Sequence, residues 1–188
     1  MPRLFMALEV PRSVATALSL LKGGLPGSRW IEAENYHVTL RFIGDVDSKQ
    51  ADDVAEALGQ ISASQFKLPV NGLSVFGSKK PHALIALVDH QPHLIELHFS
   101  LERLCQRLGL PAEPRKFVPH ITLARLKNTK PEDAAFYLSQ HGLFRVPEFT
   151  ASRFVLMSSR GSVGGGPYAI EAVYPLSERP SADLAKTG

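Results

Sequence analysis

The chain alternates short apolar runs with amphipathic ones. Residues 3–10 (RLFMALEV) are apolar and closed by Pro11, which predicts a strand. Residues 12–23 have helical periodicity and stop at Gly23-Gly24. After a loop at 24–30, residues 37–44 (HVTLRFIG) alternate polar and apolar, as a half-buried strand does. Residues 47–61 open with cap-type side chains and continue as a helix. A strand with a Gly or Pro irregularity is expected at 66–77 and a buried strand at 82–88. Residues 91–110 carry the longest helical pattern, with Leu94, Leu97, Leu101, Leu104 and Leu108 on one stripe. A strand at 117–126, a short helix at 131–142 between Pro and Gly, and extended chain at 144–160 follow. A turn at 161–167 leads into a last strand at 168–176.

The predicted order is β-α-β-α-β-β-α-β-α-β-β. Each half holds helices and strands in similar sequence, so two similar α+β lobes are expected, with mostly antiparallel sheets and helices outside. No linker separates them. Residues 1–188 are therefore read as a single bilobal domain, with a C-terminal tail of ~10 flexible residues.

The 188 residues are 44% hydrophobic and 21% charged, as in an ordinary globular protein. A net charge of +3 suits an anionic ligand without requiring one. One cysteine, Cys105, excludes an intramolecular disulfide and a cysteine-based zinc site, and its apolar helix predicts a buried thiol. Without a signal peptide or a span of ~20 apolar residues, a cytoplasmic protein with no membrane partner is expected.

The chemistry lies in a repeat. His37-Val38-Thr39-Leu40 and His120-Ile121-Thr122-Leu123 are nearly the same tetrapeptide on two strand-like segments. Side chains at i and i+2 share a strand face, so each His stands beside its Thr while the apolar pair points into the core. If the lobes meet around a cleft, both pairs can line it. Two imidazoles near their usual pKa of ~6.5 can divide the roles of base and acid, and the threonine hydroxyls can stabilise phosphoryl charge. The sequence leaves open which ring is the base, although His120 is favoured. Two histidines are too few ligands for a closed metal site, and no carboxylate stands at ligand spacing, so no metal is expected.

Other features read more plainly. His90, His93 and His98 are taken as solvated helix positions, Trp30 as packing, and Tyr168 as a core aromatic. Lys79-Lys80 sit in a loop; Arg115-Lys116, just before the second motif, are the better candidates for phosphate contacts. The glycine-rich run at 161–167 lacks the Gly-Lys-Ser/Thr ending of a phosphate-binding loop and reads as a turn.

The paired motifs resemble those of the two-histidine (2H) phosphoesterase superfamily, and more narrowly the LigT/ThpR-type RNA 2′,3′-cyclic phosphodiesterases, once described as 2′–5′ RNA ligases. The segments RLFMAL, RWIEAENYHVTLRFIGDV, KFVPHITLAR and GPYAIEAVYPL carry the resemblance over nearly the whole chain. It implies a bilobal α+β fold with pseudo-twofold symmetry about a central cleft. It also implies metal- and cofactor-independent hydrolysis of an RNA terminal 2′,3′-cyclic phosphate to a 2′-phosphate, with 2′–5′ ligation as the reverse reaction. His37 and His120 fall on the catalytic positions, Thr39, Thr122 and Arg125 on the phosphate-binding ones, and Phe42 on a nucleobase contact. Strand parity opposes the last two, because an offset of five from each His points to the other face; a bulge would restore them. Ile85 stands where the family often has an aromatic. RNA ends or nucleoside 2′,3′-cyclic phosphates are the implied partners, with a monomer expected. The competing readings are a phosphodiesterase of a small cyclic nucleotide and a non-catalytic RNA-end binding module.

Overall fold

The structure, a computed structural model, describes residues 3–159 and 166–178. The expected C-terminal tail and most of the 161–167 turn lie outside the described residues. The elements are β1 (Arg3–Glu9), α1 (Arg12–Ser19), β2 (Ser28–Trp30), β3 (His37–Asp45), α2 (Ser48–Leu58), β4 (Phe66–Leu68), β5 (Val70–Phe76), β6 (Ala83–Val88), α3 (Pro92–Arg107), β7 (His120–Leu126), α4 (Pro131–Gln140), β8 (Phe149–Ala151), β9 (Arg153–Ser159) and β10 (Tyr168–Pro175).

Local chemistry explains most boundaries. Asp47 caps α2, its carboxylate accepting from the Gln50 N–H at 2.8 Å. Gln91 caps α3 by accepting from the His93 and Leu94 N–H groups, and Pro92 occupies the first turn. Helix α1 ends before Gly23 because Leu20, Leu21 and Lys22 already donate to carbonyls three residues back. Pro69 divides the expected 66–77 strand into β4 and β5. β2 was expected as loop; three residues are too few for alternation to show, and it exists because β7 pairs with it.

The strands form an antiparallel sheet in the order β10-β9-β1-β3-β7-β6-β5, with β2 also on β7, while β4 and β8 pair separately. The two halves of the sequence run β1-α1-β3-α2-β4-β5 and β6-α3-β7-α4-β8-β9, with β2 inserted in the first. They exchange their last strands. β5 of the first half pairs with β6, and β9 of the second pairs with β1. Neither half of the sequence closes a sheet alone. The halves meet in the middle where β7 pairs with β3 through Val38 opposite Ile121, and with β2 through Ser28–Trp30.

One sheet face carries Leu4, Met6, Leu8, Val38, Leu40, Leu84, Ala86, Ile121 and Leu123, and packs under the helices. The other carries Phe5, Ala7, Val155 and Met157 and faces the cleft. Helix α3 buries Leu94, Leu97, Leu101, Leu104 and Cys105, whereas Leu108, expected on the same stripe, follows the helix end and is exposed. Burial pushes the Cys105 thiol up to about 11, so it stays protonated and inert. His98, expected in solvent, is buried on the same face. No helix among the described residues is long and apolar enough to cross a membrane.

Arg41 is the one cation on the helix side of β3. Its guanidinium donates to Glu102 on α3 and to the carbonyls of Phe42 and Pro111. Glu102 also accepts from Gln106 and from the Glu113 N–H, tying the 111–116 loop to the sheet. Desolvation pushes the Glu102 carboxyl up, but the hydrogen bonds from Gln106, Arg41 and Glu113 outweigh it and leave the group below its usual range. Removing one partner of such a pair strands the other, so Arg41→Met is expected to cost about 3–5 kcal/mol, measured by urea unfolding.

Candidate active site

The bridge between Val38 and Ile121 lays the two motifs antiparallel at the centre of the sheet. The same register sets His37 across from Thr122 and Thr39 across from His120. Each imidazole thus neighbours the other motif's hydroxyl as well as its own.

The parity conflict at Phe42 and Arg125 is resolved by two bulges at equivalent places. Against β1, Thr39 faces Ala7 and Arg41 faces Met6, so Leu40 is an extra residue. Against β6, Thr122 faces Ile85 and Ala124 faces Leu84, so Leu123 is extra. Each bulge reverses the alternation beyond it. Phe42 then pairs with Phe5, and Arg125 with Ala83, on the cleft face. Both motifs show the same burial: His and Thr half-buried, the second, fourth and fifth positions buried, and the sixth exposed.

A cavity of about 310 Å³ is lined by His37, Thr39, Phe42, His120, Thr122 and Arg125, together with Arg3, Phe5, Phe76, His82, Arg115 and Tyr168. All six residues singled out in the motifs therefore meet in one place. A second cavity of about 370 Å³ continues from it past Phe42, Phe76 and His120 towards His98, Lys116 and Phe117.

The rings are held alike. His37 Nδ1 lies 2.9 Å from the Asn35 carbonyl, and His120 Nδ1 lies 2.6 Å from the Val118 carbonyl. A carbonyl only accepts, so each Nδ1 carries a proton and each Nε2 is left for the cleft. An aromatic wall fixes each ring plane. Tyr168 meets His37 edge-on at 5.1 Å, with Phe5 at 5.0 Å, and Phe76 meets His120 edge-on at 4.8 Å.

Burial lowers the pKa of both rings. The backbone hydrogen bonds oppose this. Arg125 lowers both further, and the His120 cation lowers His37. The cleft is cationic. Arg3 is paired with Asp45 and Arg115 with Glu113. Among the described residues, Arg125 and Lys116 have no carboxylate at ion-pair distance. Arg29 stands across from Arg125 in the β2–β7 ladder but lines a separate pocket with Glu32 and Glu34. Arg115 also lies over the exposed Phe42 ring, 5.9 Å from its centroid.

The remaining sequence candidates divide. Lys79 and Lys80 are exposed between β5 and β6 and line neither cavity. Trp30 packs near Tyr137. Tyr168 is a cleft wall rather than a core residue. Ile85 is fully buried across from Thr122, beneath the cleft. Phe5, Phe76 and His82 went unnoticed in the sequence. Residues 4–8 are an unbroken apolar run, so nothing local says which of them would meet the histidines. Among the described residues, no three His, Cys, Asp or Glu side chains are grouped to hold a metal ion.

An antiparallel sheet presents two tautomer-locked imidazoles and two threonines to one cationic cleft, an arrangement able to divide the roles of base and acid. The chain belongs to the LigT-like phosphoesterase family, which matches residues 8–86 and 85–168. It is 31% identical over 160 residues to an RNA 2′,3′-cyclic phosphodiesterase of Geobacillus stearothermophilus, covering 79% of this chain and 51% of that protein. It is 32% identical over 114 residues to the protein of the same name from Aeropyrum pernix, covering 60% of this chain and 64% of that one. The chain thus spans about half and just under two-thirds of these relatives' lengths. The fold is that of E. coli LigT solved with 3′-AMP, at a TM-score of 0.73 and 22% identity, covering 94% of this chain and 99% of that one.

Both rings should titrate below the ordinary 6.5 in a pH series of ¹⁵N spectra, and Arg125→Met should raise both midpoints. Because each ring binds a proton more readily when unfolded, its contribution to stability is complete above pH ~6.5 and is lost as pH falls below it.

Proposed function

We propose that the chain hydrolyses the 2′,3′-cyclic phosphate of an RNA end, or of a nucleoside, to a 2′-phosphate. The observation that carries this reading is the convergence of two Nε2 atoms, two hydroxyls and Arg125 on one cavity. The cyclic phosphate is the anion in the cleft, with Arg125, Thr39 and Thr122 donating to its non-bridging oxygens. With His120 as base, its Nε2 takes a proton from water as the water oxygen bonds to phosphorus. The P–O3′ bond breaks, and His37 Nε2 donates its proton to the departing 3′-oxygen. His37 must be protonated at that stage. The bound anion raises its proton affinity and offsets the depression caused by burial. With an RNA hydroxyl in place of water, the same steps in the same direction give a 2′–5′ linkage.

Phe42 stacks on the terminal base, and Arg115 lies over the same ring system. No step calls for a metal or organic cofactor. We place the protein in the cytoplasm as a monomer acting on RNA ends.

The test is hydrolysis of an oligonucleotide ending in a 2′,3′-cyclic phosphate, in EDTA, with the product end identified. Turnover to a 2′-phosphate is expected, and His37→Ala and His120→Ala should each lower kcat by about 10²–10⁴-fold. No turnover by the native protein, or turnover abolished by EDTA, would overturn the reading. Phe42→Ala should raise KM about tenfold and leave kcat nearly unchanged, because the lost stacking is present in ground and transition states alike.

A further inference from the structure

We propose that His98 is the residue that holds the first motif's bulge open, and so positions Phe42 in the cleft. A bulge leaves its extra residue without a partner in the neighbouring strand, and the carbonyl of that residue needs another donor. The two bulges meet this need differently. In the second motif the Leu123 carbonyl accepts the backbone N–H of Ile31 at 2.9 Å, a bond that any residue at position 31 except proline could supply. In the first, the Leu40 carbonyl accepts from His98 Nδ1 at 2.8 Å, a bond that depends on the side chain.

His98 stands on α3, far from the motif in sequence, and is 8% exposed. Its ring also lies flat on Phe117, 3.9 Å between centroids and 5° between planes. Phe117 precedes Val118, whose carbonyl orients His120. One imidazole therefore grips the backbone of the first motif and the approach to the second. It lines the side cavity beneath Phe42 and not the cavity that holds both His37 and His120.

Without this donor, the freed Leu40 carbonyl favours absorbing Leu40 into regular pairing, opposed only by the Arg41–Glu102 pair that holds residue 41 on the helix side. That shift would turn Phe42, two residues on, to the helix face while leaving His37 and Thr39 where they are. The loss should fall on base recognition and spare the chemistry. This consequence rests on the proposed hydrolysis and on Phe42 meeting the base.

The test compares His98→Phe, which keeps the stack and loses the donor, with His98→Asn, whose amide N–H stands where Nδ1–H stood. Substrates are a nucleoside 2′,3′-cyclic phosphate and a base-free methyl riboside 2′,3′-cyclic phosphate. For H98F, KM for the nucleotide should rise about tenfold with kcat within about twofold, KM for the base-free substrate should not change, and H98N should restore the nucleotide KM. Equal effects on both substrates, no effect of H98F, or an H98N variant as weak as H98F would overturn the proposal. If H98F does not fold, the ¹⁵N spectrum of the native protein decides. A proton on His98 Nδ1 supports the proposal, and a proton on Nε2 alone overturns it. If the native protein turns over neither substrate, the hydrolysis reading fails by itself. The dissociation constant of adenosine 2′-monophosphate, compared among the same variants, then takes the place of KM.

Discussion

A strand shows alternate side chains to alternate faces, and this constraint governs the cleft. The site draws residues at offsets of zero, two and five from one strand, which a regular ladder cannot set on one side. The extra residue in each motif removes the conflict. Leu40 and Leu123 stay buried among the helices while the chain beyond them changes phase. Because the bulges occupy equivalent places, two similar sequences yield two similar half-sites around the Val38–Ile121 bridge.

The halves are interlocked as well as symmetric. Each lends its last strand to the other's first, so the sheet is continuous from β10 to β5. The cleft is therefore not a hinge between separately folded lobes. Its two sides are joined through the β3–β7 bridge, through β4 with β8, and through the shared helix-covered core. That continuity suits the proposed chemistry, in which two nitrogens act across one phosphorus atom.

Electrostatics and burial act together. Half-burial and the nearby Arg125 favour neutral imidazoles, while their backbone acceptors fix the tautomers. The cleft thus favours uncharged rings beneath a cationic rim. An anion entering it meets uncompensated guanidinium charge and, by its own charge, makes protonation of one ring easier. Under the proposed mechanism, ligand binding and preparation of the acid are then linked. The aromatic walls, Phe5 and Tyr168 on one side and Phe76 on the other, flank the two rings and lower the polarity around them.

The amino-acid sequence by itself determined the element types, the buried stripe of α3, and the doubled His-x-Thr with its two apolar neighbours. These follow from alternation, helical period and capping, which act over a few residues. It also marked Phe42 and Arg125 as conflicting with their own strands, a conflict that only an irregularity could relieve. Tertiary structure decided the rest. Which carbonyl His98 would reach, whether Tyr168 packed inside or walled the cleft, and that three residues around Arg29 would form a strand all depend on partners distant in the chain. The position of a bulge is set by the competition between two ladders and by the donors available to its freed carbonyl. That competition exists only once β1, β3, β6, β7 and α3 are together.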